Sequence, residues 1–223
     1  MRLFRYISFL KKVNIFEFFY LNYFCKSIIR TDHYKVIPYK NAVIEIPKTA
    51  KIYVESGDIE IGCDVLRKSH EETRIRLGEN AIWTSKGGCK ISYGSTIEVL
   101  NNAVLNSDYF TMNCNSVLVS AKRIDIGQDV MLGRNVVIYD SDFHTLIGKN
   151  GEVLNPSASV KIENHVWLGT NVMVLKGTII GKNSVVGANT IVKKQIPESV
   201  IYNVKQETFM RRELKKWDRN GRI

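Results

Sequence analysis

From residue 162 the chain places an aliphatic side chain at every sixth position: Ile162, Leu168, Val174, Ile180, Val186 and Val192. Four residues after each comes a second set, Val166, Val172, Thr178, Ser184, Thr190 and Ile196, all small or β-branched. Gly169, Gly181 and Gly187 directly follow three of the aliphatic residues. Neither the helix period of 3.6 nor a simple strand period of 2 gives this pattern. The same register appears upstream at Ile126, Leu132 and Ile138, with Val130 and Val136 four after the first two. Since 162 − 138 is 24, a multiple of six, the register is kept across the gap. The segment between carries Asp140, Asp142, His144, Gly148, Gly151 and Pro156 and reads as a loop, about 140–159, extruded from a repeat array. Looser matches (Ile46 with Ile52, Ile61 with Val65, Leu77 with Ala81, Ile91 with Ser95 and Ile97) carry the repeat back to about residue 44.

Each hexad is then a short strand plus a turn. Aliphatic side chains point inward, small residues fill the corners, and glycine there permits positive φ. One hexad cannot bury its own face, but stacked coils bury a continuous core and pair their backbones. Three hexads per coil make a triangular prism. The expectation is an all-β domain over 44–203. Residues 1–43 form a basic aromatic segment, expected to be partly helical. Over 204–223, Phe209, Leu214 and Trp217 alternate with charges and predict an amphipathic helix that caps the solenoid or docks on a neighbour.

Composition adds less. The chain is 44% hydrophobic, which places it with globular and not disordered sequences. Thirty-two basic against 22 acidic residues give 32 − 22, a formal charge of +10. Base-stacking aromatics interleaved with Lys and Arg are missing from the repeat, so nucleic acid is not an expected partner. Cys25, Cys63, Cys89 and Cys114 form no CxxC pair. The histidines His33, His70, His144 and His165 fit no zinc spacing either, so no metal is expected and the thiols read as free, in a reducing cytoplasm. In residues 1–30 the longest uncharged run, Phe18 to Cys25, falls far short of the roughly 20 residues needed to span a bilayer. Its aromatics and cations suit packing on a neighbouring subunit or the main domain, or peripheral contact with an anionic membrane on its inner face.

The run from Ile162-Glu-Asn-His-Val-Trp-Leu-Gly to Ile196-Pro197 resembles the hexapeptide-repeat acyltransferases, whose usual form is I-G-x-N-V-W-I-G-x-x-V ending in I-V-x-K-x-I-P. Glu163 and His165 depart from that form at a turn. The likeness covers Asn113 to about Asn203 and points to the branch that O-acetylates sugars and bacterial surface polysaccharides. It implies a left-handed parallel β-helix, a homotrimer with its site between subunits, acetyl-CoA as acyl donor and a saccharide acceptor. By the same resemblance His144, on the loop, is the general base that takes a proton from the attacking hydroxyl, as an imidazole suits at neutral pH. Asp142, or Asp140, would orient it or hold an acceptor hydroxyl. Asn113, in Asn113-Cys114-Asn115, matches the Asn-x-Asn whose first residue contacts the sugar in galactoside and maltose acetyltransferases. Gly169, Thr170, Gly187 and Ala188 match positions that line the acetyl-CoA groove. Lys193 and Lys194 match positions near the CoA phosphates, and Trp167 is a supporting residue.

The implied reaction is direct transfer of acetyl to a hydroxyl, with no acyl-enzyme. Two other readings stay open on sequence: N-acetylation of a nucleotide-linked amino sugar, and a non-catalytic β-helix scaffold.

Overall fold

The structure is a computed structural model that describes residues 12–205 and the strand Thr208–Glu213. Its strands fall into three sheets, and within each sheet the neighbours are three strands apart in the chain, save for the last two strands, which are consecutive. That order is the signature of a chain that visits three faces in turn and climbs one step per coil. Face I runs from Ile28–Arg30 through Val160–Ile162 to Gln195–Ile196. Face II runs from Val36–Pro38 to Val200–Lys205, and face III from Ala42–Glu45 to Ile191–Val192. Among the described residues the pairings between strands are parallel except that of Val200–Lys205 with Thr208–Glu213.

The hexad register is the core. Ile162, Leu168, Val174, Ile180, Val186 and Val192 are each at most 1% exposed. The second set is buried as well, its Thr178, Ser184 and Thr190 filling corners. On face I, Ile126, Ile162, Ile180 and Ile196 stack directly above one another. Each such side chain contributes roughly 1.5–3 kcal/mol on leaving water. The step from Ile162 to Ile180 is 18 residues, three hexads per coil. Earlier the steps are longer: Ile52 to Trp83 is 31 residues and Trp83 to Leu105 is 22. Extra residues at the corners shift the register there and leave the cross-section unchanged, which is why the early periodicity is faint.

Three expectations are corrected. The solenoid begins at residue 28 and not 44, because Ile28–Arg30 and Val36–Pro38 already pair into faces I and II. The expected C-terminal helix is, up to Glu213, a hairpin: Val200–Lys205 extends face II and pairs with Thr208–Glu213, because a sheet edge with open N–H and C=O groups recruits a β-branched run. Residues 214–223 lie outside the described residues. Finally, Gly169, Gly181 and Gly187 do not supply the positive φ; residues three places after the aliphatic positions do, among them Gly177 at 76°. Asn171, Asn183 and Asn189 are others, at φ of 60°, 59° and 58°, as asparagine tolerates the left-handed region. Gly169 is needed for clearance: a Cβ there would lie 2.8 Å from the backbone nitrogen of Ala188 in the next coil. The asparagines also bond in a ladder, Asn135 to Asn171 at 3.0 Å and Asn171 to Asn189 at 2.9 Å.

Candidate active site

The fold sorts the expected site residues onto two edges of the prism. The edge between faces II and III carries Asn113, Gly169, Thr170, Gly187 and Ala188 in one stacked column. Backbone bonds link it coil by coil: Asn113 N–H to Leu132 O, Gly133 N–H to Leu168 O, Gly169 N–H to Val186 O. Asn113 is exposed, and its Oδ1 accepts from the Cys114 N–H at 2.8 Å. Beside it lies a cleft of about 260 Å³ lined by Asp64, Leu66, Tyr93, Cys114 and Arg134. Above it, Gly169 to Ala188 leave a strip of small side chains along the corner, with Thr170 and Ala188 exposed. Trp167 points outward from face II two residues before Gly169 and is 40% exposed.

The edge between faces III and I carries the loop with His144, and above it Lys193 and Lys194. The loop leaves the coil after Tyr139 and is anchored by Asp140, whose carboxylate is fully buried. Asp140 accepts from the N–H groups of Ala121, Lys122 and Arg123 at 2.6, 2.9 and 2.7 Å and from the Ser120 hydroxyl at 3.1 Å. It is therefore a structural cap on the coil below and does not face His144. Beyond it, Phe143 takes a φ of 62° and packs edge-on against Tyr139 at 5.1 Å. Positive φ is costly for an aromatic residue, and here it turns the chain so that His144 stands in solvent.

Asp142 accepts from Lys176 Nζ at 2.6 Å and Asn155 Nδ2 at 2.9 Å, and only its backbone carbonyl meets His144, accepting from the amide N–H at 2.7 Å. The Lys176 bond, then that from Asn155, hold its carboxyl below the usual carboxylate range. Asn155 Nδ2 also donates to the His144 carbonyl at 2.8 Å. So Asp142 tethers the loop through Asn155 and Lys176, two residues that the sequence reading passed over. Lys176 comes from the next coil and Asn155 from the far arm of the loop, so no local motif could have joined them. A second imidazole was also passed over: His165 Nδ1 lies 2.6 Å from Asp129 Oδ2, across two coils at the edge between faces I and II.

Lys194 Nζ sits 5.8 Å over the Tyr202 ring, while Lys193 is exposed beside it. A groove of about 740 Å³ runs along face I past the ion pairs Arg123–Asp125 and Lys161–Glu163 and touches none of the expected site residues. It is a broad polar face and holds no base beside a nucleophile. All four cysteines are free, and burial pushes the Cys63 thiol up to about 12 and the Cys89 thiol well above its ordinary value. Neither is a thiolate nucleophile at neutral pH. Among the described residues no three His, Cys, Asp or Glu side chains cluster as metal ligands.

His144 and Asn113 do not meet within one chain. Face III lies between their edges. From Asn135 to Asp140 it is 140 − 135, or five steps, about 16 Å at ~3.3 Å per residue.

Comparison with known proteins bears on the same region. The bacterial transferase hexapeptide (six repeats) family matches residues 159–194. Galactoside O-acetyltransferase of Escherichia coli K12 is 36% identical over 133 residues, 59% of this chain and 60% of that protein. A putative acetyltransferase of Saccharomyces cerevisiae is 33% identical over 166 residues, 73% of this chain and 80% of that protein. The chain spans about three fifths of the length of the galactoside acetyltransferases it matches. Among solved structures, the polysialic acid O-acetyltransferase OatWY superposes with a TM-score of 0.63 at 23% identity, covering 87% of this chain and 92% of that one. That likeness shows the fold, the left-handed parallel β-helix.

Proposed function

The chain belongs to the hexapeptide-repeat acyltransferases, and from that premise we propose that it is an acetyl-CoA-dependent O-acetyltransferase acting on a saccharide hydroxyl, in the cytoplasm, on a bacterial surface polysaccharide or its precursor. The observation that carries the reading is the two-edge arrangement. A sugar-sized cleft with an exposed amide lies below a strip of small residues on one edge, and an exposed imidazole on a tethered loop stands on another.

In this reading the pantetheine arm, thin and rich in amides, runs along Gly169, Thr170, Gly187 and Ala188. Its phosphates meet the ammonium group of Lys193, with Lys194 beside it. Asn113 holds a hydroxyl of the acceptor through its amide, which both donates and accepts. His144 removes the proton as the hydroxyl oxygen attacks the thioester carbonyl. The tetrahedral intermediate then expels the CoA thiolate, and the imidazolium returns the proton to it. No acyl-enzyme is required, in keeping with the high thiol values of Cys63 and Cys89. Asp142, with Asn155 and Lys176, positions the loop. Trp167 supports the strip from face II.

Because the two edges of one prism stand about 16 Å apart, the working site takes its acceptor cleft and its base from different protomers. A threefold homotrimer of parallel prisms supplies that pairing. Relatives named galactoside, lipopolysaccharide-biosynthesis and polysialic acid O-acetyltransferases support the saccharide class.

The test is calorimetry with acetyl-CoA combined with turnover on a panel of glycans. His144→Ala should lose about 10²–10⁴-fold in turnover with acetyl-CoA affinity nearly unchanged. Full activity in that variant would remove His144 from the mechanism. A folded wild type that binds no CoA at millimolar concentration would move the assignment to a non-catalytic scaffold.

A further inference from the structure

At its N-terminal end the molecule turns the usual helix pattern inside out. Helix α1 (Ile15–Phe19) continues into a π-helical turn, Tyr20–Phe24. Phe16, Phe19, Tyr20, Tyr23 and Phe24 follow the i, i+3, i+4, i+7, i+8 spacing, which on a surface helix marks the stripe that faces the core. Here the stripe faces out. Its members are 91%, 51%, 54%, 59% and 73% exposed. The opposite side turns inward, with Leu21 and Asn22 each 2% exposed.

The orientation is locked by a buried polar clamp. Asn22 Nδ2 donates to the carbonyls of Val36 at 2.7 Å and Phe18 at 2.8 Å, and its Oδ1 accepts from the Val36 N–H at 3.0 Å. Rolling the stripe inward would break both bonds to Val36. The rings also brace one another, Phe19 against Tyr23 at 5.9 Å. A fixed row of exposed aromatics is a feature that soluble surfaces seldom leave uncovered, and it marks an interaction face.

Charge identifies the partner. The Arg30 guanidinium lies 5.7 Å and the Lys35 ammonium 5.3 Å from the Tyr23 ring centroid. Lys12 and Lys26 are exposed at either end of the segment, and Glu17 is the one acidic residue between them. A second copy would, in a two-fold contact, set this cationic cluster against itself, and in a threefold contact would set it against a chain of formal charge +10. An anionic lipid surface neutralises it. Among the described residues no helix is long and apolar enough to cross a membrane. We propose that this stripe docks the protein on an anionic bilayer, with the rings at the headgroup–acyl boundary and the cations on lipid phosphates. The inference is independent of acetyl transfer.

The experiment is co-sedimentation of the full chain with phosphatidylcholine vesicles, with and without phosphatidylglycerol. The wild type should bind only the anionic vesicles, less as salt rises. Phe16→Ser/Phe24→Ser, two side chains that pack least on the protein, should weaken binding by about tenfold or more without moving the thermal melt. Lys12→Gln/Lys35→Gln, which leaves the rings in place, should lose the anionic preference. Acetylation of a soluble acceptor should be unchanged in both, so failure here is separable from failure of the enzyme reading. A wild type that stays in the supernatant overturns the proposal, as does an aromatic variant that binds as well as wild type. A change in oligomeric mass in that variant, with no vesicle binding by wild type, assigns the stripe to a second copy instead.

Discussion

Asp140 and Asp142 stand two residues apart in one acidic motif, yet they should behave as opposites. Asp140 has no exposure and four donors on its carboxylate, three of them backbone N–H groups at the turn after Ser120. Asp140→Ala removes the acceptor and leaves the buried Ser120 hydroxyl and three part-buried N–H groups without it, at about 1–3 kcal/mol for each that water cannot reach. With partial relaxation the sum is roughly 3–5 kcal/mol, the range for breaking a buried charged network. At about 2–4 °C per kcal/mol for a chain of this size, the melting temperature should fall by at least about 6 °C. Asp140→Asn keeps the shape. Its amide oxygen can replace Oδ2, which serves Ser120, Lys122 and Arg123, but its NH₂ then faces the Ala121 N–H. It should lie between the alanine variant and wild type. Asp142→Ala loses only an exposed pair with Lys176 and Asn155 and should melt within a degree or two of wild type, because such pairs are screened. Thermal denaturation followed by far-UV circular dichroism compares all three. Equal melting of Asp140→Ala and wild type, or equal losses in the two alanine variants, would refute the reasoning.

Further expectations come from the same geometry. Gly169→Ala places a Cβ 2.8 Å from the Ala188 nitrogen and should cost about 1–3 kcal/mol by forcing two coils apart, measured by urea denaturation. Asp142 has a folded pKa below its ordinary 3.8, so its tether to Lys176 contributes fully above that value and is lost as pH falls through the lower folded one. Limited proteolysis of the 140–159 loop should therefore quicken only in strong acid, and Lys176→Met should show quick cleavage already at neutral pH. Asn113→Ala should raise KM for the acceptor far more than KM for acetyl-CoA, and equal changes in both would remove Asn113 from the acceptor cleft.

Much of this molecule is written in one-dimensional order. The hexads from Ile162 to Ile196 name their own burial, because a side chain that recurs every six residues in a three-faced coil always returns to the same interior column. The offset of 24 between Ile138 and Ile162 marks the loop and its histidine for the same reason. The sequence missed what depends on neighbours in other coils. Long corners in the first coils hide the strands Ile28–Arg30 and Val36–Pro38. An open edge on face II draws the chain after Val200 into a hairpin where its charge pattern suggests a helix. Asp140 and Asp142 look alike in the chain, and only the position of the coil below, with its three N–H groups, makes one a buried cap and the other a surface tether. The sequence alone determined the period, and with it the prism and its core. Which edge each polar residue occupies, that Asn113 and His144 stand apart within one chain, and that the aromatic stripe from Phe16 to Phe24 faces outward were decided by tertiary structure. The physical reason is that a repeat specifies what is buried by local spacing, whereas a site is made by residues that meet only when separate coils are stacked.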